Sequence, residues 1–197
     1  MREVELKSMV PDVDAARRAV ERADGQLEFE GRLEDRRYDA ADRSMLARDH
    51  VLRVRVYRDA TGARASLDWK GPTQLDRGYK IREELSTDAA DADALIAILE
   101  RLGYEVTREI DRDIAQYALL GATVRFERYP RMDVLVEVEG PEEAIERAIA
   151  VLGLPRDGFN GERLQKFVER FEARTGERAA LCERELAGDY SRVAGNA

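Results

Sequence analysis

Charged residues recur at every second position along several short apolar stretches, and this is where the chain could do chemistry. Glu3, Glu5 and Lys7 alternate with Val4 and Leu6, Arg53 and Arg55 with Leu52, Val54 and Val56, and Asp68 and Lys70 with Leu67 and Trp69. Further on, Lys80, Arg82 and Glu84 face away from Ile81, Glu83 and Leu85, Arg125 and Glu127 from Val124 and Phe126, and Glu137 and Glu139 from Val134, Val136 and Val138. Sorted by face, these six stretches present seven carboxylates and seven cations, with almost no Ser, Thr, Asn or Gln. Glu3 and Glu5 are like charges on one strand face, as are Glu137 and Glu139, which is costly unless a cation lies between them. Two arrangements are open. An antiparallel sheet with an ordinary solvated face would carry such a pattern. A sheet closed with these faces inward would instead make a tunnel, in which arginines and lysines hold a polyphosphate and carboxylates hold the accompanying divalent metal.

The elements that must position these side chains follow from the same periodicities. Weaker strand patterns near residues 27–39 and 105–117 bring the strand count to about eight, enough to close a barrel. Ala60-Thr61-Gly62-Ala63 lies at hairpin distance between two strands, and Gly71-Pro72 ends another. Helical spacing appears after Pro11-Asp12 up to Gly25, through Leu95, Ile96, Leu99 and Leu102 with Ser86 or Thr87 as cap, from Pro141 to Gly153, and through Leu164, Phe167, Val168 and Phe171 before Gly176. A short helix follows through Leu181 to Leu186. No repeat or low-complexity linker interrupts the chain, so residues 1–187 read as one α+β domain, with 188–197 a flexible tail.

Composition narrows the function. A net charge of −8 opposes binding to nucleic acid or an acidic membrane surface, so any anion must meet a local basic patch. One cysteine, Cys182, excludes an intrachain disulfide, and the single histidine, His50, excludes a site that needs two imidazoles. No uncharged stretch is long enough to span a bilayer as a helix, and a cytoplasmic location is expected. His50 is expected as a loop residue, Trp69 as packing between barrel and helix, and Cys182 as an inert thiol. The Arg36-Arg37 pair suits either solvated surface or the tunnel mouth.

At the N-terminus, Glu3-Val4-Glu5-Leu6-Lys7 resembles the Glu-x-Glu-x-Lys signature of the CYTH superfamily, the triphosphate tunnel metalloenzymes. The stretches Asp35–Asp39, Leu52–Arg55, Leu67–Pro72, Arg82–Glu84 and Glu137–Glu139 follow in the family's order, so the resemblance spans roughly residues 1–153. It implies an eight-stranded antiparallel barrel forming a tunnel, with flanking helices. It implies metal ligation by Glu3, Glu5, Glu127, Glu137 and Glu139, with Glu127 standing where many members have Asp, and it implies Mg²⁺ or Mn²⁺ as the ion. It places triphosphate-binding cations at Lys7, Arg53, Arg55, Lys70 and Arg82. Arg112 is the candidate for a further basic position, although Thr107–Arg112 lacks the family's Lys-x-Arg pattern, and Arg125 joins the set from its shared face alone.

The resemblance leans to the class IV adenylate cyclase branch, which converts ATP to cyclic AMP and pyrophosphate, because no Gln-Gly-Tyr-Leu-type segment follows the first helix. A triphosphatase acting on tripolyphosphate, thiamine triphosphate or a nucleoside triphosphate is the alternative. A non-catalytic polyphosphate or nucleotide binder is a third reading. The expected partner is a small triphosphate, a homodimer is an open arrangement, and the sequence singles out no general base.

Overall fold

Residues 2–192 are described by a computed structural model. Period-two alternation becomes nine strands among them: β1 (Arg2–Met9), β2 (Gln26–Ala40), β3 (Val51–Asp59), β4 (Gly62–Lys70), β5 (Gln74–Asp76), β6 (Tyr79–Ala89), β7 (Tyr104–Leu119), β8 (Ala122–Arg128) and β9 (Leu135–Glu139). Every pairing is antiparallel. The order β1-β9-β8-β7-β2-β3-β4-β6 is closed by pairing of β1 with β6, which makes the expected eight-stranded barrel, and short β5 hairpins onto β6 outside the ring.

Register brings acids opposite bases. Glu3 stands opposite Arg82, Glu5 opposite Lys80, Lys7 opposite Glu137, and Arg125 opposite the same Glu137. Across the ring, Arg55 faces Asp35, Arg53 faces Asp68, and Lys70 faces Glu84. Like charges that would repel along one strand are thereby interleaved with counter-charges from its neighbours.

Six α-helices among the described residues surround the barrel: α1 (Val13–Arg22), α2 (Ser44–Ala47), α3 (Ala92–Arg101), α4 (Glu142–Leu152), α5 (Leu164–Thr175) and α6 (Glu183–Leu186). The Asp12 carboxylate caps α1 by accepting from the Ala15 amide, and α4 and α5 stop at Gly153 and Gly176, which adopt the left-handed backbone that favours glycine. The expected cap of α3 is corrected. Ser86 and Thr87 continue β6 because Asp68 and Leu67 of β4 pair with them, and Asp91 caps the helix instead.

The apolar faces point outward from the barrel into the helices. Leu6, Val124, Val136 and Val138 pack with Val20 of α1 and Ile145, Ala148 and Ile149 of α4. A second cluster joins Leu164, Phe167, Val168 and Phe171 of α5 to Ile110, Tyr129 and Leu135. Residues 156–163 extend the wall beside β1, where Lys7 and Asn160 exchange main-chain hydrogen bonds of 2.9 and 3.0 Å. Of segment 188–197, residues 193–197 lie outside the described residues. Tyr190 donates to the Ala179 carbonyl at 3.0 Å, and Arg192 pairs with Glu109 at 2.6 Å. No helix among the described residues is long and apolar enough to cross a membrane.

Candidate functional site: a charged cavity inside the barrel

Strand alternation sends the polar side chains of β1, β3, β4, β6, β8 and β9 inward. Eleven of the twelve site residues expected from sequence are buried and Glu139 is half-buried. Glu5, Lys7, Arg53, Arg55, Lys70, Arg82, Arg112, Glu127 and Glu137 line one cavity with about 550 Å³ of empty space, the part open to solvent included. Glu3, Arg125 and Glu139 stand beside this lining, Glu3 through Lys70 and Arg125 through Glu137.

Charge balance inside is local. Lys70 Nζ lies 2.6 Å from a Glu3 oxygen and 3.2 Å from Glu84. Lys7 and Lys80 both donate to Glu5, at 2.9 and 2.7 Å, and Lys7 also pairs with Glu137. Arg112 donates to Glu127 at 2.8 Å, while the Tyr129 hydroxyl donates to its other oxygen at 2.7 Å. Arg53 donates to Asp68 at 3.0 Å and to Glu84 at 3.1 Å, and Asp35 accepts from Arg55 at 3.4 Å.

The titrations follow these contacts. Burial pushes Glu127 up, but Arg112 and Arg125 outweigh it and hold the carboxyl down at about 2. Lys7, Lys80 and Lys70 likewise overcome burial at Glu5 and keep it well below the usual carboxylate range. Lys80 is pushed down to about 8 by burial and by the like charges of Lys7 and Lys70, against the pull of Glu5. Glu139 moves the other way: burial and the neighbouring Glu3 carboxylate raise it.

That asymmetry bears on a metal. Among the described residues no three acidic, histidine or cysteine side chains are grouped tightly enough to hold an ion, and Glu3 and Glu5 carry lysine counter-ions. Among the described residues Glu139 makes no salt bridge, and burial with the charges of Glu3 and Glu5 pushes it up against the pull of Arg125 and Lys70. Glu139 stands opposite Glu5 in the register of β1 with β9, while Glu127 and Glu137 are tied to Arg112 and Arg125, so of the five expected ligands Glu3, Glu5 and Glu139 are the three whose oxygens would be offered to a hard divalent cation.

Several cavity residues were outside the expected site. Lys80 belongs to the alternating faces, as do Asp68 and Glu84, which stand behind the lining paired with Arg53, so the signal for all three was present. Asp35 and Arg37 also line the cavity, but segment 27–39 has charges at nearly every position and hides its phase. Structure resolves the Arg36-Arg37 pair: Arg37 lines the cavity, and Arg36 pairs on the other face with Asp111. Tyr129 lies just beyond β8 and is placed by tertiary packing alone. His50 and Trp69 meet edge to face at 5.1 Å, and buried Cys182 has its thiol pushed up by burial.

With this geometry in view, the family model of the CYTH domain matches residues 1–148. The chain belongs to the CYTH domain family. No curated protein matches it. Among solved structures, this CYTH chain is similar to a candidate adenylate cyclase of Vibrio parahaemolyticus, at 21% identity and a TM-score of 0.71 over 85% of this chain and 97% of that one. It is similar to the PH1819 protein of Pyrococcus horikoshii OT3, at 23% identity and a TM-score of 0.70 over 85% and 98%. A candidate adenylyl cyclase of Hippeastrum, described as having a dominant triphosphatase activity, is 17% identical with a TM-score of 0.60 over 91% and 98%. At these identities the likeness is one of fold, and helices α5 and α6 of the CYTH chain lie beyond residues 1–148, which the family model matches.

Proposed function

We propose that this CYTH protein is a divalent-metal-dependent enzyme that binds a triphosphate inside the barrel and cleaves it at the terminal phosphorus with water as nucleophile. The observation that carries the reading is the cavity lining. Six arginine or lysine residues of the expected site converge there with Arg37 and Lys80, in a protein whose net charge is −8. Such a concentration of buried cations suits a compact polyanion and little else.

Within the cavity, the arginines would hold the phosphate chain through paired N–H donors and fix it in line. Burial excludes bulk water and strengthens these contacts. A divalent ion at Glu3, Glu5 and Glu139 would supply charge neutralisation and Lewis acidity at the phosphorus, with Mg²⁺ or Mn²⁺ as the candidates.

Hydrolysis is favoured over cyclisation by what the cavity lacks. Among the described residues its lining is charged or apolar apart from the Tyr129 hydroxyl, with no Ser, Thr, Asn or Gln side chain to read a base or ribose. Val51, Ile110 and Leu164 supply its apolar part, and one inner row beyond Asp35 and Arg55, Leu33 and Tyr57 pack with Phe29 and Ile114. Incubation with tripolyphosphate, ATP or thiamine triphosphate, each with Mg²⁺ or Mn²⁺, tests the reading. Orthophosphate release is expected. Cyclic AMP with pyrophosphate would establish the cyclase instead, and tight binding without turnover would leave a binding protein.

A further inference from the structure

Arg82 is a cavity cation that owes its position to backbone. Its Nε donates to the Gly71 carbonyl at 2.6 Å and its Nη2 to the Asp49 carbonyl at 2.7 Å. Nη1 is the corner of the guanidinium without a protein acceptor among the described residues. Both carbonyls sit on connecting segments outside strands, one before β3 and one after β4. Each segment has a main-chain tie of its own, Asp49 N–H to the Leu46 carbonyl at 3.0 Å and Gly71 N–H to the Glu83 carbonyl at 2.9 Å, which leaves the joining of the two segments to a side chain.

Asp49 supplies that side chain. Its backbone is in the left-handed region, with φ 56°, which tolerates Asp and Asn better than other non-glycine residues. Its carboxylate oxygen Oδ2 accepts from the Thr73 amide at 2.8 Å and from Arg163 Nη2 at 2.7 Å. The Asp49 carboxylate thus ties together the loop before β3, the connection after Gly71 and the residue that opens α5. The adjoining Leu164 is itself part of the cavity lining.

We propose that Asp49 is a positioning residue for Arg82, and that Arg163 at the start of α5 completes the device. Resting on the reading of Arg82 as a phosphate-binding group, it makes α5, outside the 148 residues matched by the CYTH model, part of the triphosphate site. A guanidinium held by two aligned carbonyls presents its remaining edge in one orientation, so a ligand does not have to order it.

The test is a double-mutant cycle on tripolyphosphate affinity, measured by calorimetry in EDTA so that only the cations bind. Arg163→Ala should weaken binding about threefold to tenfold, and Arg82→Ala about tenfold or more. In the Arg82→Ala background, Arg163→Ala should have no further effect, because it acts through Arg82. Arg163→Lys, which keeps a cationic donor beside the Asp49 carboxylate, should recover most of the lost affinity. A merely structural Arg163 would weaken binding by the same factor in both backgrounds, and that result, or wild-type affinity in Arg163→Ala, would overturn the proposal. Wild-type affinity in Arg82→Ala would remove Arg82 from the phosphate site and the proposal with it. If wild-type binding requires Mg²⁺, the same cycle is run with Mg²⁺ present; an absence of tripolyphosphate binding by the wild-type protein both in EDTA and with Mg²⁺ would instead refute the functional reading itself.

Discussion

Arg55 illustrates how much of the site is set by single side chains. It is buried, its Nη1 donates to the Tyr57 hydroxyl at 3.3 Å, and its Nε lies within 3.5 Å of both Asp35 and Asp68. A fork of donors held in this way matches phosphate oxygens as a lysine cannot. Arg55→Ala should weaken tripolyphosphate binding by roughly tenfold to a hundredfold, and Arg55→Lys should also impair it despite the conserved charge; titration calorimetry measures both. Glu5 and Glu139, alike in sequence, differ in surroundings. Glu5 is the carboxylate of Lys80 and one of two for Lys7, so Glu5→Ala leaves the buried Lys80 ammonium without its counter-ion and should cost on the order of 3–5 kcal/mol in a urea denaturation. Glu139→Gln removes a carboxyl that its neighbours already destabilise. Its melting temperature in EDTA should match or exceed wild type, while the Mg²⁺ concentration needed for half-maximal turnover should rise.

At the scale of elements, β2 carries the barrel's longest pairing partnership, running antiparallel to both β3 and β7. Gly31 lies in this strand where two chains approach closely: a Cβ there would sit 2.2 Å from the Arg58 carbonyl oxygen and 3.0 Å from the end of the Phe29 ring. Backbone cannot give way as a flexible side chain can. Gly31→Ala should therefore cost about 1–3 kcal/mol by urea denaturation, although alanine normally favours a strand over glycine. Helix α5 acts through its apolar face: Phe167 and Phe171 close over Ile110, Tyr129 and Leu135. Tyr129, held in that cluster, donates to Glu127, so one helix supports a cavity carboxylate through a single aromatic residue.

Considered as a whole, the molecule has two interiors, an apolar one outside the barrel wall and a charged one within it. The charged interior makes stability depend on pH with a definite sign. Burial raises Asp35, Asp68 and Glu84, but Arg53 beside the two aspartates, and Lys70 and Arg53 beside Glu84, outweigh it and hold all three below the ordinary carboxylate range. Folded-state values below the unfolded ones mean that the stabilisation is complete above about pH 5, where unfolded carboxyls have ionised, and is lost as pH falls toward the folded values. The melting temperature should accordingly be flat from pH 7 to about 5 and drop steeply below 4 in a scanning-calorimetry series. A gradual decline beginning near neutrality would show that these carboxylates do not dominate.

Strand alternation, the helix stops at Gly153 and Gly176, and the pool of carboxylates and cations were legible in the sequence because they depend on local geometry. A strand side chain points to one face or the other regardless of what lies beyond it. Which face became the interior was not local: pairing of β1 with β6 closes the ring, and only closure turns a charged sheet face into a cavity. The same holds for β2, whose phase at Asp35 and Arg37 is set by register with β3 and β7, and for β6, which runs past Ser86 and Thr87 because β4 offers it partners. Asp49, Thr73, Arg82 and Arg163 lie far apart in the chain, in segments with no common period. Their meeting is decided by tertiary structure, because hydrogen bonds between loops depend on where the barrel and α5 bring those loops to rest.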